Sequence, residues 1–231
     1  MNSKYAVQCR NINKTYGEKD TKIQALKNIN LDIEAGKLTL LVGPSGSGKT
    51  TLLSIITAIL HPDNGGQVFL LGEEITKMSD DQKAVFCRDN LGIVFQSLFL
   101  IPTLTVCENV SMPLLIKGKT QKESAEQALA ALKKMNIDHR CNVSPSNLSK
   151  GQQQKVAIAR AMVNNAKILV CDEPTSALDQ NAGLETMDIL KHLATDANKA
   201  VIVVTHDHRI FSFGDRIITM NDGEIIGNEH E

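Results

Sequence analysis

The stretch GPSGSGKT at 43–50 constrains this chain more than any other. It satisfies the pattern G-x-x-x-x-G-K-[ST] in full. It also lies between LTLLVG (38–43), an apolar run typical of a buried strand, and TLLSIITAIL (51–60), which reads as a buried helix stopped near His61-Pro62. Strand, glycine-rich turn and helix, in that order, are the context this spacing needs. Gly43, Gly46 and Gly48 let the backbone curl until its N–H groups point inward, and the helix N-terminus adds positive potential. Such a loop cradles phosphate. Lys49 can reach the β- and γ-phosphates of a nucleoside triphosphate, and Thr50 can offer its hydroxyl to Mg²⁺. Pro44, Ser45, Ser47 and Thr51 complete the expected nucleotide contact around them.

Further short apolar runs follow: GQVFLLG, LGIVFQ, KILVCDE, AVIVVTH and DRIITM, each bounded by polar or turn residues. Strands interleaved with helical segments predict an α/β fold, a largely parallel sheet with helices on both faces. Between Gln96 and Gly151 the pattern changes. QKESAEQALAALKKM sets Ala125, Ala128, Leu129, Leu132 and Met135 on one helical stripe, with no comparable strand nearby. The expected organisation is one domain over 1–231, an α/β core at 1–95 and 155–231, and a helical subdomain inserted at 96–154. With 231 residues, 42% hydrophobic, such a domain can bury a sizeable core.

Other function classes lose ground on composition. A net charge of −1 offers no bulk attraction to nucleic acid or to an anionic membrane. Five cysteines (9, 87, 107, 141 and 171) form no C-x-x-C pair and read as reduced, mostly buried thiols rather than a disulfide framework or a zinc site. The N-terminus, MNSKYAVQCRNINKTYG, lacks an apolar signal core, and no run approaches the ~18 apolar residues of a membrane span. A cytosolic chain is expected, its membrane role reached through a partner. DNGG (63–66) matches a GTPase-type D-x-x-G, but no N-K-x-D accompanies it.

A second site is expected where KILVCDEP ends a buried strand. Asp172 would lie beside the phosphate loop in a parallel sheet and serve Mg²⁺, through water or directly; Glu173 would polarise the attacking water. AVIVVTH ends similarly at His206, whose imidazole can lie near the γ-phosphate. NLSKGQQQK (147–155) holds no carboxylate, histidine or cysteine. Ser149 and Gln152 have the S-x-x-Q spacing of a capping box, so the stretch either only starts a helix or does something more.

Taken together and in this order, GPSGSGKT, Gln96 after LGIVF, LSKGQ, ILVCDEPTSALD and His206 resemble the ATP-binding subunit of ABC transporters over essentially the whole chain. The resemblance implies a P-loop NTPase core with an N-terminal antiparallel β portion, ATP and Mg²⁺ as cofactors, and an ATP-hydrolysing subunit that dimerises around two ATP. It implies that Tyr16 stacks on adenine, that Gln96 links the metal site to a membrane permease, and that Ser176 to Asp179 connect the two sites of the dimer. His206 becomes the switch that senses the γ-phosphate. It also implies that Ser149, Gly151 and Gln152 of one subunit close over ATP held by the other. Lys150 departs from the family's glycine, which leaves its effect on rate and affinity open.

GPSGSGKTTLLSIITAIL, VFQSLFLIPTLTVCENV and VTHDHRIFSFGDRI further resemble the branch of macrolide exporters, lipoprotein-release machines and glycolipid exporters. That likeness implies a separate permease, often with a membrane-fusion protein, and a peripheral place on the cytoplasmic face of the membrane. No appended regulatory domain is expected after NDGEIIGNEHE. The alternatives are a soluble ABC ATPase acting on DNA or ribosomes, and a non-hydrolysing nucleotide clamp. The first usually carries long coiled-coil insertions or two cassettes in one chain; intact Lys49, Asp172, Glu173 and His206 weigh against the second.

Overall fold

The computed structural model describes residues 4–18 and 21–230, with Glu229 and His230 by backbone alone. Residues 1–3, 19–20 and 231 lie outside the described residues. Strands β1 (Tyr5–Tyr16) and β2 (Ile23–Glu34) form a long antiparallel ribbon, and β4 (Gln67–Leu70) and β5 (Glu73–Glu74) extend it in the order β2-β1-β4-β5. This is the antiparallel portion expected at the N-terminus.

The second sheet has the order β10-β9-β3-β8-β7-β6. It comprises β3 (Leu38–Val42), β6 (Leu91–Val94), β7 (Ile168–Asp172), β8 (Ala200–Thr205), β9 (Arg216–Asn221) and β10 (Glu224–His230). Every pairing in it is parallel except β9 with β10. Its central strands β3 and β8 are buried along their whole length, which is why they read as unbroken apolar runs and not as alternating ones. Alternate residues feed two cores. Leu41, Ile168, Val170, Ile202 and Val204 pack with the antiparallel sheet and α1 (Lys49–Ile56); Leu40, Val42, Leu169, Cys171 and Val203 pack toward the other helices.

Helix α1 stops at Ile56, short of the expected 60. Ala58 adopts φ +58°, its N–H bonds to Ile55 O, and Ile59 N–H reaches back to Ser54 O. These are the two bonds of a Schellman ending, with alanine where glycine is usual. Tertiary context overrides the helix propensity of this apolar segment.

After β6 the chain turns helical, with α3 (Val106–Ile116), α4 (Gln121–Lys134) and two short 3₁₀ turns leading to α5 (Lys150–Met162). Helix α5 runs unbroken through position 154. On α4, Ala128 and Leu132 are buried as the stripe predicts, and Met135 is buried at the C-cap. Ala125, however, is exposed and Ser124 is buried in its place, so the buried face is rotated by one residue at its start. Capping boxes begin α2 (Asp80–Asn90), α3, α4 and α5, each pairing Ser or Thr with Glu or Gln three residues on. Helix α6 (Gln180–Ala194) follows β7. Of the five cysteines, Cys9 and Cys171 are buried and the other three only half-buried, fewer buried than expected; all are free thiols.

Candidate functional site

The parallel strands deliver their carboxyl ends to one edge of the sheet, the edge where α/β folds bind ligands. Because β8 lies between β3 and β7, the phosphate loop after β3, His206 after β8 and Asp172 at the end of β7 converge there. They surround a cleft of about 520 Å³ lined by Pro44 to Gly46 and Gly48 to Thr51 of the loop, Gln96, Asp172, Glu173 and His206; Ser47 is buried beneath the loop and does not line it.

Two glycines of the loop are required by their surroundings. At Gly43, with φ +147°, a Cβ would lie 2.1 Å from Met220 O; at Gly48, with φ +99°, it would lie 2.5 Å from Ala25 O. The loop is thus pressed against β2 and β9, and Gly223 N–H fastens it further through Ser47 O at 3.1 Å. Lys49 folds back under the loop, its Nζ donating to Gly43 O and Pro44 O at 2.8 Å each and to Ser47 Oγ at 3.3 Å. Burial lowers the pKa of Lys49, opposed by the carboxylates of Glu173 and Asp172. Burial likewise raises that of Asp172, with Glu173 adding to the rise and Lys49 opposing it.

Glu173 stands at φ +50°, a left-handed conformation that costs a non-glycine residue on the order of 1–3 kcal/mol and tends to occur where function demands it. Backbone bonds hold it there: its N–H donates to Val204 O at 2.9 Å, and its carbonyl accepts from Ser176 Oγ at 3.0 Å. The turn aims the carboxylate across the cleft, where Oε1 lies 2.6 Å from His206 Nδ1. The register that pairs Asp172 with Val204 brings the two residues after these strands within reach of each other. His206 is 67% exposed while Glu173 is 12% exposed, so an exposed ring meets an enclosed acid. The arrangement suits proton transfer from a water held near phosphate.

Thr50, Asp172 and Gln96 offer a hydroxyl, a carboxylate and an amide to the same cleft. All can present oxygen, the donor set of a hard divalent cation such as Mg²⁺, which takes few protein ligands beside substrate phosphate. The donors fit the ion.

Other expected residues lie elsewhere. Tyr16 ends β1 at the tip of the ribbon, opposite Ile23, 41% exposed and with Lys14 Nζ 5.9 Å from its ring centroid. It is not among the residues lining the cleft. Ser149, Lys150, Gly151 and Gln152 start α5, also outside the cleft. Ser149 Oγ accepts from Gln152 N–H at 3.3 Å and Gln152 Oε1 from Ser149 N–H at 3.1 Å, so the capping box is formed. Gly151 lets α5 approach α6, since a Cβ there would lie 3.1 Å from Ala182 Cβ. Asp179 caps α6 through Ala182 N–H at 3.0 Å. Within one chain, the start of α5 and the phosphate loop are not brought together.

One positioning residue escaped sequence reasoning. Arg160, on α5, donates to Phe99 O at 2.7 Å and Leu98 O at 2.5 Å, pinning the segment that follows Gln96. An arginine inside VAIARAMV, a mainly apolar helix, was the available signal.

Comparison with known proteins agrees with this geometry. The ABC transporter family model matches residues 26–176. An uncharacterized ABC transporter ATP-binding protein of Methanocaldococcus jannaschii, MJ0796, is 43% identical over 95% of the chain and 94% of its own length. The macrolide export ATP-binding/permease protein MacB of Pasteurella multocida is 40% identical over 96% of the chain, which spans only 34% of that longer protein. Among solved structures, a dimeric post-hydrolysis state of the MJ0796 cassette bound to ADP and Pi superimposes with a TM-score of 0.88, at 42% identity over 97% of this chain and 98% of that one.

Proposed function

The chain belongs to the ABC transporter family, and from that premise we propose that two copies close around two ATP and drive a membrane permease of the exporter type. It is an ATPase whose hydrolysis powers a membrane transporter. The observation that carries the site assignment is the convergence of Lys49, Asp172, Glu173 and His206 on one cleft. Inward N–H groups of the loop and Lys49 hold the phosphates. Glu173 accepts the proton of the attacking water, and His206 orients Glu173 while reaching toward the γ-phosphate. Thr50, Asp172 and Gln96 would hold Mg²⁺, which neutralises phosphate charge when bound. Tyr16 stacks on adenine, a contact of the kind worth about 1–3 kcal/mol per base.

Several observations support the remaining parts. MJ0796 is described as dimeric, and Ser149 and Gly151 are not among the residues lining their own chain's cleft. In a two-fold dimer they would serve the partner's ATP, the helix N-terminus adding its positive potential. MacB joins an ATP-binding segment to a permease, which supports a permease partner here, with a membrane-fusion protein as a further component. Among the described residues no helix is long and apolar enough to cross a membrane, which fits a subunit peripheral to the cytoplasmic face. None of the relatives named above is described as acting on DNA or ribosomes, so that alternative gains no support.

Mixing two inactive variants tests the shared site. Lys49→Ala disables the loop; Ser149→Arg fills the γ-phosphate position with a bulky cation. A mixed dimer gathers both defects into one site and leaves the other intact. With Glu173→Gln added to every chain to suppress turnover, sedimentation should find ATP-dependent dimer in the mixture and in neither of the two variants by itself. No association there, while the Glu173→Gln chain alone dimerises, refutes the shared site.

A further inference from the structure

Near the tip of the antiparallel ribbon, β2 carries one residue more than its partner. Lys14 pairs with Leu26 and Thr15 with Gln24, so Ala25 is left over as a bulge. Ala25 lines the phosphate cleft, and Tyr16 pairs with Ile23, two residues before it. The Tyr16 ring is therefore stationed at the rim of the cleft. Lys14 lies over that ring, its Nζ 5.9 Å from the centroid, inside the roughly 6 Å within which an ammonium is drawn to an aromatic face. The same Nζ donates to His61 O at 2.8 Å and stands 3.9 Å from Asp63 Oδ1. Asp63 N–H in turn donates to Asn13 O at 2.8 Å. His61 and Asp63 lie in the segment that leaves α1, and α1 begins at Lys49 of the phosphate loop. One helix is thus joined at its start to the phosphate site and, past its end, through Lys14 to the ring. The Lys14 side chain is only 17% exposed, so little water competes for its ammonium. Tyr16 is 41% exposed even with Lys14 over it, which leaves ring surface for a flat ligand to cover.

We propose that Lys14 is a positioning residue for the nucleotide base. Its ammonium fixes the Tyr16 ring relative to the phosphate loop, and it draws electron density from the ring, which makes the opposite face a better stacking partner for a purine. The proposal rests on Tyr16 stacking on adenine. A lysine that merely tied β1 to the segment after α1 would matter equally to any ligand of the phosphate loop. A lysine that acts through the ring matters only to ligands that carry a base.

The test compares ADP, which carries a base and is not hydrolysed, with inorganic tripolyphosphate, which carries none. Calorimetry reads both affinities on the full-length chain with Mg²⁺. For Lys14→Met, which keeps the apolar stem and loses the charge, Kd for ADP should rise about fivefold while Kd for tripolyphosphate stays within about twofold. KM for ATP should rise in step, and kcat should hold within about twofold. Lys14→Arg, which keeps a cation able to stack on an aromatic face, should recover most of the ADP affinity. In a Tyr16→Ala background, Lys14→Met should cost nothing further, because the ring through which it acts is gone. Equal weakening of ADP and tripolyphosphate overturns the proposal, as does an unchanged ADP affinity or a full further loss in Tyr16→Ala. Should Lys14→Met fail to fold, Lys14→Gln, which keeps a donor and removes the charge, should give the same base-dependent loss. A Tyr16→Ala chain that binds ADP as tightly as wild type refutes the adenine contact of the proposed function and this proposal with it. A Tyr16→Ala chain that weakens ADP, beside a Lys14→Met chain that does not, refutes the role of Lys14 alone.

Discussion

Replacing Glu173 by glutamine isolates the chemical step from binding. The substitution preserves side-chain size and exchanges one carboxylate oxygen for an amide nitrogen. An amide can still meet His206 Nδ1 at the 2.6 Å position, through oxygen or nitrogen according to the ring tautomer. The lost negative charge is one that presses against Asp172, so the fold loses little. What disappears is the proposed proton acceptor, a group worth about 10²–10⁴-fold in rate. At 1.36 kcal/mol per decade this raises the barrier by about 3–5 kcal/mol. Binding should survive, and ATP at a hundredfold excess over its Kd stabilises the folded chain by about 2.7 kcal/mol. For a domain of this size each kcal/mol moves Tm by about 2–4 °C, so ATP should raise Tm by about 5–11 °C. Phosphate release measures the first quantity, thermal melting the second, and sedimentation should show ATP-linked dimer accumulating. Wild-type turnover in Glu173→Gln would remove Glu173 as the base. Loss of the ATP-induced rise in Tm would instead make its charge part of the binding site.

Lys150→Gly restores the family's glycine at an exposed position, and should change the ATPase barrier by no more than about 0.5 kcal/mol; a rise in KM for ATP whose size depends on salt would instead bring the ammonium to phosphate. Arg160→Ala removes both donors to Leu98 and Phe99 carbonyls, and amide exchange across 97–101 should accelerate about tenfold or more. Unchanged exchange would leave Arg160 without a positioning role. Because burial raises the pKa of Asp172, its ionised form costs stability above that raised value, so Asp172→Asn should melt higher at pH 7 while losing Mg²⁺-dependent turnover. That advantage should fade as pH falls into the ordinary carboxylate range, where the acid is protonated whether folded or not; a variant that melts lower at pH 7 contradicts it. Burial pushes the Cys9 thiol up to about 12 and that of Cys171 higher still, so native alkylation followed by mass spectrometry should find both unmodified until the chain is unfolded.

The legible parts of the fold were those whose determinants are local. Five residues from Leu38 to Val42, all buried, can only read as an apolar run, and GPSGSGKT needs just its two neighbours to be interpreted. The capping box at Ser149 and Gln152 is also local, and it formed as its spacing predicts. Where distant segments decide, the pattern misleads. The end of α1 follows from Ala58 taking a left-handed turn that neighbouring sequence does not demand. The buried face of α4 begins at Ser124 because α3 and α5 pack against it, not because serine is apolar.

The run QQQ shows the limit more sharply, since one residue type at three successive positions acquires three roles. A helix advances about 100° per residue, so Gln152, Gln153 and Gln154 face different surroundings by geometry alone. Gln152 finds a backbone N–H three residues back, which spacing foretells. Gln153 finds carbonyls of the preceding turn at Pro145 and Leu148, still within reach of local inference. Gln154 faces a cavity whose other walls come from Gln96 and Glu173, respectively 58 and 19 residues away along the chain. Glu173 in turn meets His206 only because β7 and β8 are parallel neighbours. Composition at positions 152–154 carries none of that information. The chemistry a side chain can perform is written in its type; the partner that makes the chemistry useful is supplied by topology.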